Sequence, residues 1–199
     1  MAAFDFDVDY TLEDNVVLLR PLVGDDYINL LPFALNEPEL WTYSMITAAG
    51  RDGLANYLDG AIADRKNRTQ YPFIVFDKRV GQYAGCTRYY DIKLLEQTMQ
   101  LGYTWYGKQF QRTGLNRHCK YLLLQFAFER MEMQRVEFRA DSENDRSVAA
   151  MKAIGCYVEG VLRSNGKRAD GSRRDSIILS ILKHEWFDTV KTSLTDKIY

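Results

Sequence analysis

Two stretches of the chain carry residue types that could do chemistry. In the first, Leu101-Gly102-Tyr103-Thr104-Trp105 reads as a strand, Tyr106 to Arg112 as a loop, and Thr113-Gly114 as the opening of a long amphipathic segment. In the second, Arg135 to Ala140 reads as a strand, and Asp141-Ser142-Glu143-Asn144-Asp145-Arg146-Ser147 as a polar cap opening another helix. A helix that starts beside a strand end leaves its first N–H groups unpaired and points the positive end of its dipole at the gap. Such a place binds anions, so a phosphate-bearing cofactor is expected between Leu101 and Cys156.

Other candidates are weaker. Asp91 and Glu96 are the best placed carboxylates to take a proton through water, although exposed turn charges are much commoner than catalytic ones. Arg163, Lys167, Arg168, Arg173 and Arg174 cluster around a glycine-containing loop and could meet a phosphate, an acidic substrate or RNA. Balance by Asp170 and Asp175 favours a solvated loop instead. The only histidines, His118 and His184, have no zinc-ligand spacing, so no metal is expected. Cys86, Cys119 and Cys156 form no C-x-x-C pair and suit reduced core thiols, which fits a cytoplasmic protein. A magnesium-nucleotide loop would need G-x-x-x-x-G-K-S/T, and a dinucleotide fold G-x-G-x-x-G; Gly114 is followed by Leu115-Asn116-Arg117 and satisfies neither.

The elements that must position these residues follow from periodicity. Residues 1 to 15 read as acidic and irregular, Val16 to Leu19 before Arg20-Pro21 as a first strand, Tyr27 to Leu35 as a helix shortened or kinked by Pro32, and Gly50 to Asn67 as a helix with one apolar face. The aromatic stretch Glu39 to Ser44 between them is expected to be a loop pinned onto the core by its rings, with a substrate-site wall as the alternative. Tyr71 to Phe76, Val80 to Tyr90 and Leu95 to Tyr106 form an antiparallel meander, with Gly81 and Gly85 marking bulges or close approaches. Leu115, Cys119, Leu122, Leu123, Phe126 and Ala127 make a helical stripe between two strands, which predicts a right-handed crossover onto a parallel pair. Val148, Met151 and Ile154 line the next helix, ended by Gly155; Tyr157 to Leu162 and Ser176 to Leu182 form a hairpin; and His184 to Thr195 a terminal helix with Trp186, Phe187 and Val190 inward. With 199 residues, 46% hydrophobic and 27% charged, and no linker or repeat, the chain reads as one mixed α/β domain. A net charge of −1 gives no argument for nucleic acid, and no apolar run is long enough to span a bilayer.

Gln111-Arg112-Thr113-Gly114-Leu115-Asn116 resembles the Q/R-x-x-G-x-G/A signature of the GNAT N-acetyltransferase superfamily. Asn144 with Ser147 and a later Gly155, and Arg135-Val136-Glu137, resemble its next helix and strand. Glu159-Gly160-Val161-Leu162-Arg163 and Arg174-Asp175 are similar to its RimJ/RimL-like branch, the ribosomal-protein N-terminal acetyltransferases. The resemblance covers Val16 to Trp186. It implies a single GNAT-like domain over residues 1–199 with a core of about 16–186. The implied fold has a central, mostly antiparallel twisted sheet, a parallel pair at the cofactor cleft, and helices on both faces.

The resemblance further implies a transferase that moves an acetyl group from acetyl-CoA to a primary amine by direct attack, without an acyl-enzyme. The acceptor would be a protein N-terminus or a small amine such as a polyamine or amino-sugar, the protein a monomer or homodimer. It assigns Tyr103, Thr104 and Trp105 to the pantetheine arm and the oxyanion, and Gln111, Arg112, Thr113, Gly114, Leu115, Asn116 and Arg117 to the pyrophosphate. It assigns Asn144 to the pantetheine, and Ser147 to the sulfur as the candidate acid. Plain helix-capping roles compete for Asn144 and Ser147. Two departures stand out. Asn116 replaces the last Gly or Ala of the motif, and Met151, which cannot donate a proton, stands where many members carry a tyrosine. Met151 keeps a non-catalytic acyl-CoA-binding module as the alternative.

Overall fold

The computed structural model describes residues 4–198. Eight strands form one sheet in the order β1-β2-β3-β4-β5-β6-β8-β7. β1 (Leu12–Glu13) and β2 (Val17–Pro21) pair antiparallel at one edge, and β2 pairs with β3 (Gln70–Asp77). Between β2 and β3 run α1 (Tyr27–Asn36), which tolerates Pro32 inside it, and α2 (Gly50–Lys66). β4 (Gln82–Lys93) and β5 (Thr98–Tyr106) complete the meander.

The parallel pairing joins β5 to β6 (Arg135–Asp141), through α3 (Leu115–Gln125), as the spacing requires. α4 (Asp145–Ala153) leads into β7 (Tyr157–Lys167), which hairpins with β8 (Arg173–Leu182); β8 lies beside β6. The chain closes with α5 (Lys183–Glu185), a π turn and α6 (Lys191–Ile198).

Alternation along β4 shows how the two faces are covered. Arg88 lies 4.7 Å over the ring of Tyr57 from α2. Its neighbour Tyr89 points the other way, donating to the Leu123 carbonyl of α3 at 2.6 Å and stacking near Phe126. Both helical layers therefore bury apolar faces against one sheet, which is the largest favourable contribution to folding.

Three details differ from the expectations. β7 and β8 extend to Lys167 and from Arg173, so the hairpin is longer and the basic residues sit mostly on strands. Phe187 is 51% exposed, and Leu194 joins Trp186 and Val190 in the terminal core instead. The stretch before β2, expected to be irregular, contributes β1 and the carboxylate of Asp14, which accepts from Val16 and Val17.

Candidate functional site

The parallel pairing of β5 and β6 is short. Thr98, Met99 and Gln100 face Arg135, Val136 and Glu137, and no later pair forms. Beyond Gln100 the strands part, leaving the edge of β5 free to bond an extended ligand on that side. The same part of β5 is bulged: the register against β4 shifts between Cys86 and Arg88, where Tyr103 and Thr104 together oppose Thr87. Tyr103 takes φ +50 there, unusual for a bulky residue and explained by the extra residue the bulge accommodates. The bulge re-aims the Tyr103 to Trp105 backbone toward the gap.

Below the gap stands the start of α3. Gly114 caps it at φ +87 with nothing within 4 Å of where a Cβ would be, so the approach to the helix end is open. Arg112, two residues earlier, is also left-handed at φ +63. The N–H groups of Arg112, Thr113 and Gly114 meet no acceptor among the described residues, so they are available to an anion. Arg79 braces this loop from the β3–β4 turn. Its guanidinium donates to the Thr113 carbonyl at 2.9 Å while bound to Asp77. Gln111 is fixed at both ends of its amide, donating to the Tyr106 carbonyl at 2.8 Å and accepting from Arg146 at 2.5 Å.

The open face leads into a cavity of about 780 Å³, toward the upper end for ligand sites. Of the residues the motifs singled out, Tyr103, Thr104, Trp105, Gln111, Arg112, Gly114, Asn116, Arg117, Asn144 and Ser147 all line it. Thr113 and Leu115 do not. Leu115 is fully buried in the core with its N–H directed at the Thr113 hydroxyl, and that hydroxyl donates to the Phe110 carbonyl. Asn144 caps α4 by accepting from the Ser147 N–H at 3.1 Å, which leaves its amide NH₂ and the Ser147 hydroxyl toward the cavity. Met151 is buried on the same wall.

Asp91 and Glu96 do not reach this cavity. Asp91 accepts from Gln100 at 2.9 Å on the rim of a small separate hollow, and Glu96 sits in an exposed turn. His118 pairs with Asp14 at 2.7 Å, a partner 104 residues away and outside the cavity. Burial raises the thiols of Cys119 and Cys156 to about 12 and that of Cys86 further, which removes them as nucleophiles at neutral pH. Among the described residues no cluster could hold a metal ion.

Four features of the site go beyond the sequence reading. The loop after α1 does both jobs weighed for it: Trp41 packs edge-on against Trp105 with centroids 5.1 Å apart, while Tyr43, Met45 and Ile46 form an outer wall of the cavity. Arg174 is not a solvated loop residue but a buried cavity residue, donating to the Tyr43 carbonyl at 3.2 Å; burial lowers its pKa. Arg168 clamps Asp141 with bonds of 2.6 and 3.1 Å and tethers Glu143, holding the polar cap of α4. Burial opposes ionisation of Asp141, but the bonds from Arg168 and the Glu143 N–H win and hold its carboxyl below the usual range. The fourth is Lys120, a buried lysine on the cavity wall.

Residues 17–157 match the family model of the acetyltransferase (GNAT) domain. Over 106 residues the chain is 30% identical to YdaF of Bacillus subtilis (strain 168), provisionally named a ribosomal N-acetyltransferase. That match covers 53% of this chain and 57% of YdaF, little more than half the length of either. The crystal structure of a provisionally assigned acetyltransferase from T. thermophilus superposes with a TM-score of 0.87 at 30% identity, covering all of both chains. RimJ of Mycobacterium smegmatis, solved in complex with CoA-disulfide, matches with a TM-score of 0.80 over 95% of this chain and 93% of its own; at 19% identity the likeness is one of fold.

Proposed function

We propose that this chain, which belongs to the GNAT acetyltransferase family and is related to its RimJ/RimL-like branch, transfers the acetyl group of acetyl-CoA to a primary amine, with a protein N-terminus as acceptor. The observation that carries the proposal is the pairing of two features at one cleft. β5 and β6 part after Gln100, and the unpaired N–H groups before α3 lie at the foot of the opening. A long ligand with an anionic end fits both at once.

These residues fit the group. The N–H groups of Arg112 to Gly114 and the side chains of Arg112 and Arg117 would hold the diphosphate. The bulged backbone at Tyr103 to Trp105 and the amide of Asn144 would hold the pantetheine arm. Gln100 Oε1, buried on the cavity wall without a partner among the described residues, offers an acceptor to a ligand donor. When bound, acetyl-CoA supplies the acetyl thioester. The chain supplies orientation, exclusion of water and donors toward the carbonyl oxygen.

Among the described residues no free carboxylate stands at the cavity to act as a strong base, since Asp141, the acidic residue on its wall, is paired with Arg168. The attacking amine must therefore arrive neutral. An α-amine, whose pKa in water is near 8, meets that condition better than a lysine near 10.4. This favours N-termini over side chains, and the wall of Tyr43, Met45 and Ile46 offers apolar contact to the residues that follow an N-terminus. No helix of the described residues could cross a membrane, and we assign the activity to the cytoplasm, as a monomer or dimer.

The test is incubation with labelled acetyl-CoA and a panel of short peptides, blocked peptides, polyamines and amino-sugars. Acetylation of free peptide N-termini, absent from blocked ones, is expected. Acetylation of small amines alone would overturn the acceptor assignment. The buried Met151 favours a second possibility, a module that binds acetyl-CoA without turnover; binding with no coenzyme A release from any acceptor would establish it.

A further inference from the structure

The residue at the foot of the cleft that the family motifs do not explain is Lys120. It lies on the second turn of α3, roughly 8 Å along the axis from the anion-binding end. Its Nζ donates to the Thr104 hydroxyl of β5 at 2.9 Å and sits 5.7 Å over the Phe138 ring of β6. It thus bridges the two strands beyond the point where their pairing ends. Only 5% of the residue is exposed, yet it lines the cavity together with Ser147 and Met151. No carboxylate pairs with it among the described residues. One of its three donors is used, so two remain for whatever enters.

An uncompensated ammonium in the interior is costly, and a lysine without a charged partner is a poor choice for packing alone. A polar group held there against that cost has a use at the place it points to.

We propose that Lys120 is the general acid of the transfer, protonating the sulfur of coenzyme A as it leaves, in place of the tyrosine that Met151 replaces. The proposal rests on the acetyl-CoA assignment above. In the step, the acceptor nitrogen bonds to the carbonyl carbon and the tetrahedral adduct collapses. The C–S bond breaks with its electron pair on sulfur, and a proton passes from Nζ to that sulfur. The nitrogen that has become an amide loses one proton through water, and this restores the lysine, so protons balance over the cycle.

The surroundings suit the task. Burial lowers the amine to about 8, opposed weakly by the neighbouring thiols of Cys119 on the same helix and Cys156 after α4. From β5 and β6 the facing groups are the Thr104 hydroxyl and the Phe138 ring, which carry no charge. An acid near 8 is matched to an alkyl thiol near 8.5, the condition for efficient transfer at neutral pH. Ser147, whose hydroxyl is a far weaker acid, then orients rather than protonates.

Lys120→Met and Lys120→Arg test this. Met fills the same space without the charge, and thermal unfolding and acetyl-CoA titration confirm that each variant folds and binds. The expected result is a fall in kcat of about 100-fold in both, with KM for acetyl-CoA within a few-fold of wild type. The high-pH decline of wild-type kcat, set by loss of the Lys120 proton, should be absent in Lys120→Met. A second readout needs no turnover: the thiol of bound coenzyme A, followed by its ultraviolet thiolate absorbance, should ionise at lower pH in wild type and Lys120→Arg than in Lys120→Met. Wild-type kcat in either variant, or equal thiol ionisation in all three proteins, would overturn the role of Lys120 while leaving the acetyl-CoA assignment standing. Absence of acetyl-CoA binding by wild type would instead remove the assignment itself.

Discussion

Gly85 links the sheet to the site closely enough to predict what one methyl group would do. It lies on β4 opposite Tyr106, at φ +151, and a Cβ built there would sit 2.0 Å from the Trp105 carbonyl oxygen and 2.9 Å from the Trp105 carbonyl carbon. To reach ordinary contact the two strands must open by more than an ångström. β5 cannot give easily, because Trp105 is wedged against Trp41 and Phe33. Gly85→Ala combines a backbone conformation that side chains rarely adopt, about 1–3 kcal/mol, with overpacking of about 1–3 kcal/mol. Destabilisation of about 4 kcal/mol corresponds to a melting point about 10 °C lower in a chain of this size. The control is Gly171→Ala in the β7–β8 loop, at φ +87 but with nothing within 4 Å, where only the backbone cost of about 1 kcal/mol applies. Thermal unfolding by circular dichroism compares them. If Gly85→Ala melts no lower than Gly171→Ala, the close approach of β4 to the bulged strand is wrong. The surviving folded fraction should also show a raised KM for acetyl-CoA, since the displaced carbonyl belongs to the segment assigned to the pantetheine arm.

Arg79→Ala removes the brace on the Thr113 carbonyl and leaves the acceptor side untouched; affinity for acetyl-CoA should fall by about tenfold, the worth of one charged hydrogen bond, while KM for the acceptor, read in steady-state kinetics, stays within about twofold. Asp14, Asp77 and Asp141 all have carboxyls held low: in each, burial opposes ionisation but bonds from His118, Arg79 and Arg168 respectively, with neighbouring N–H groups, outweigh it. Their stabilisation is complete above the unfolded carboxylate value of about 3.9 and is lost as pH falls through the lower folded values. Urea midpoints should therefore hold between about pH 5 and 8 and drop below about pH 4, and Asp14→Asn should flatten part of that drop.

The parts of the site visible in the sequence were those built from local signals. Gly114 before the apolar stripe of α3, and Asn144 three residues before Ser147, each mark a helix start through the chemistry of their own neighbourhood. The parallel pairing followed from the length of chain between β5 and β6. What stayed hidden depends on contacts across long separations. Arg168 meets Asp141 from 27 residues away and His118 meets Asp14 from 104, and no local pattern announces either pair. The outer half of the β7–β8 hairpin was read as loop because β7 is an edge strand, exposed along almost its whole length, with no alternation to count. Lys120 gave no signal in the sequence, because a charged residue off the apolar stripe ordinarily marks the solvent face of a helix. That face of α3 meets the gap between two parted strands, where the apparent exterior is the wall of a cavity. Phe187 failed in the opposite sense, an aromatic in a terminal helix that turns outward.

The most direct test of the central assignment is a calorimetric titration of acetyl-CoA into the wild-type protein. The cleft between β5 and β6 above the start of α3 predicts saturable binding of one molecule per chain, weakened by added salt because phosphates are held by Arg112, Arg117 and backbone N–H groups, and competed by free coenzyme A. Absence of saturable heat, or binding indifferent to salt and to coenzyme A, would contradict it.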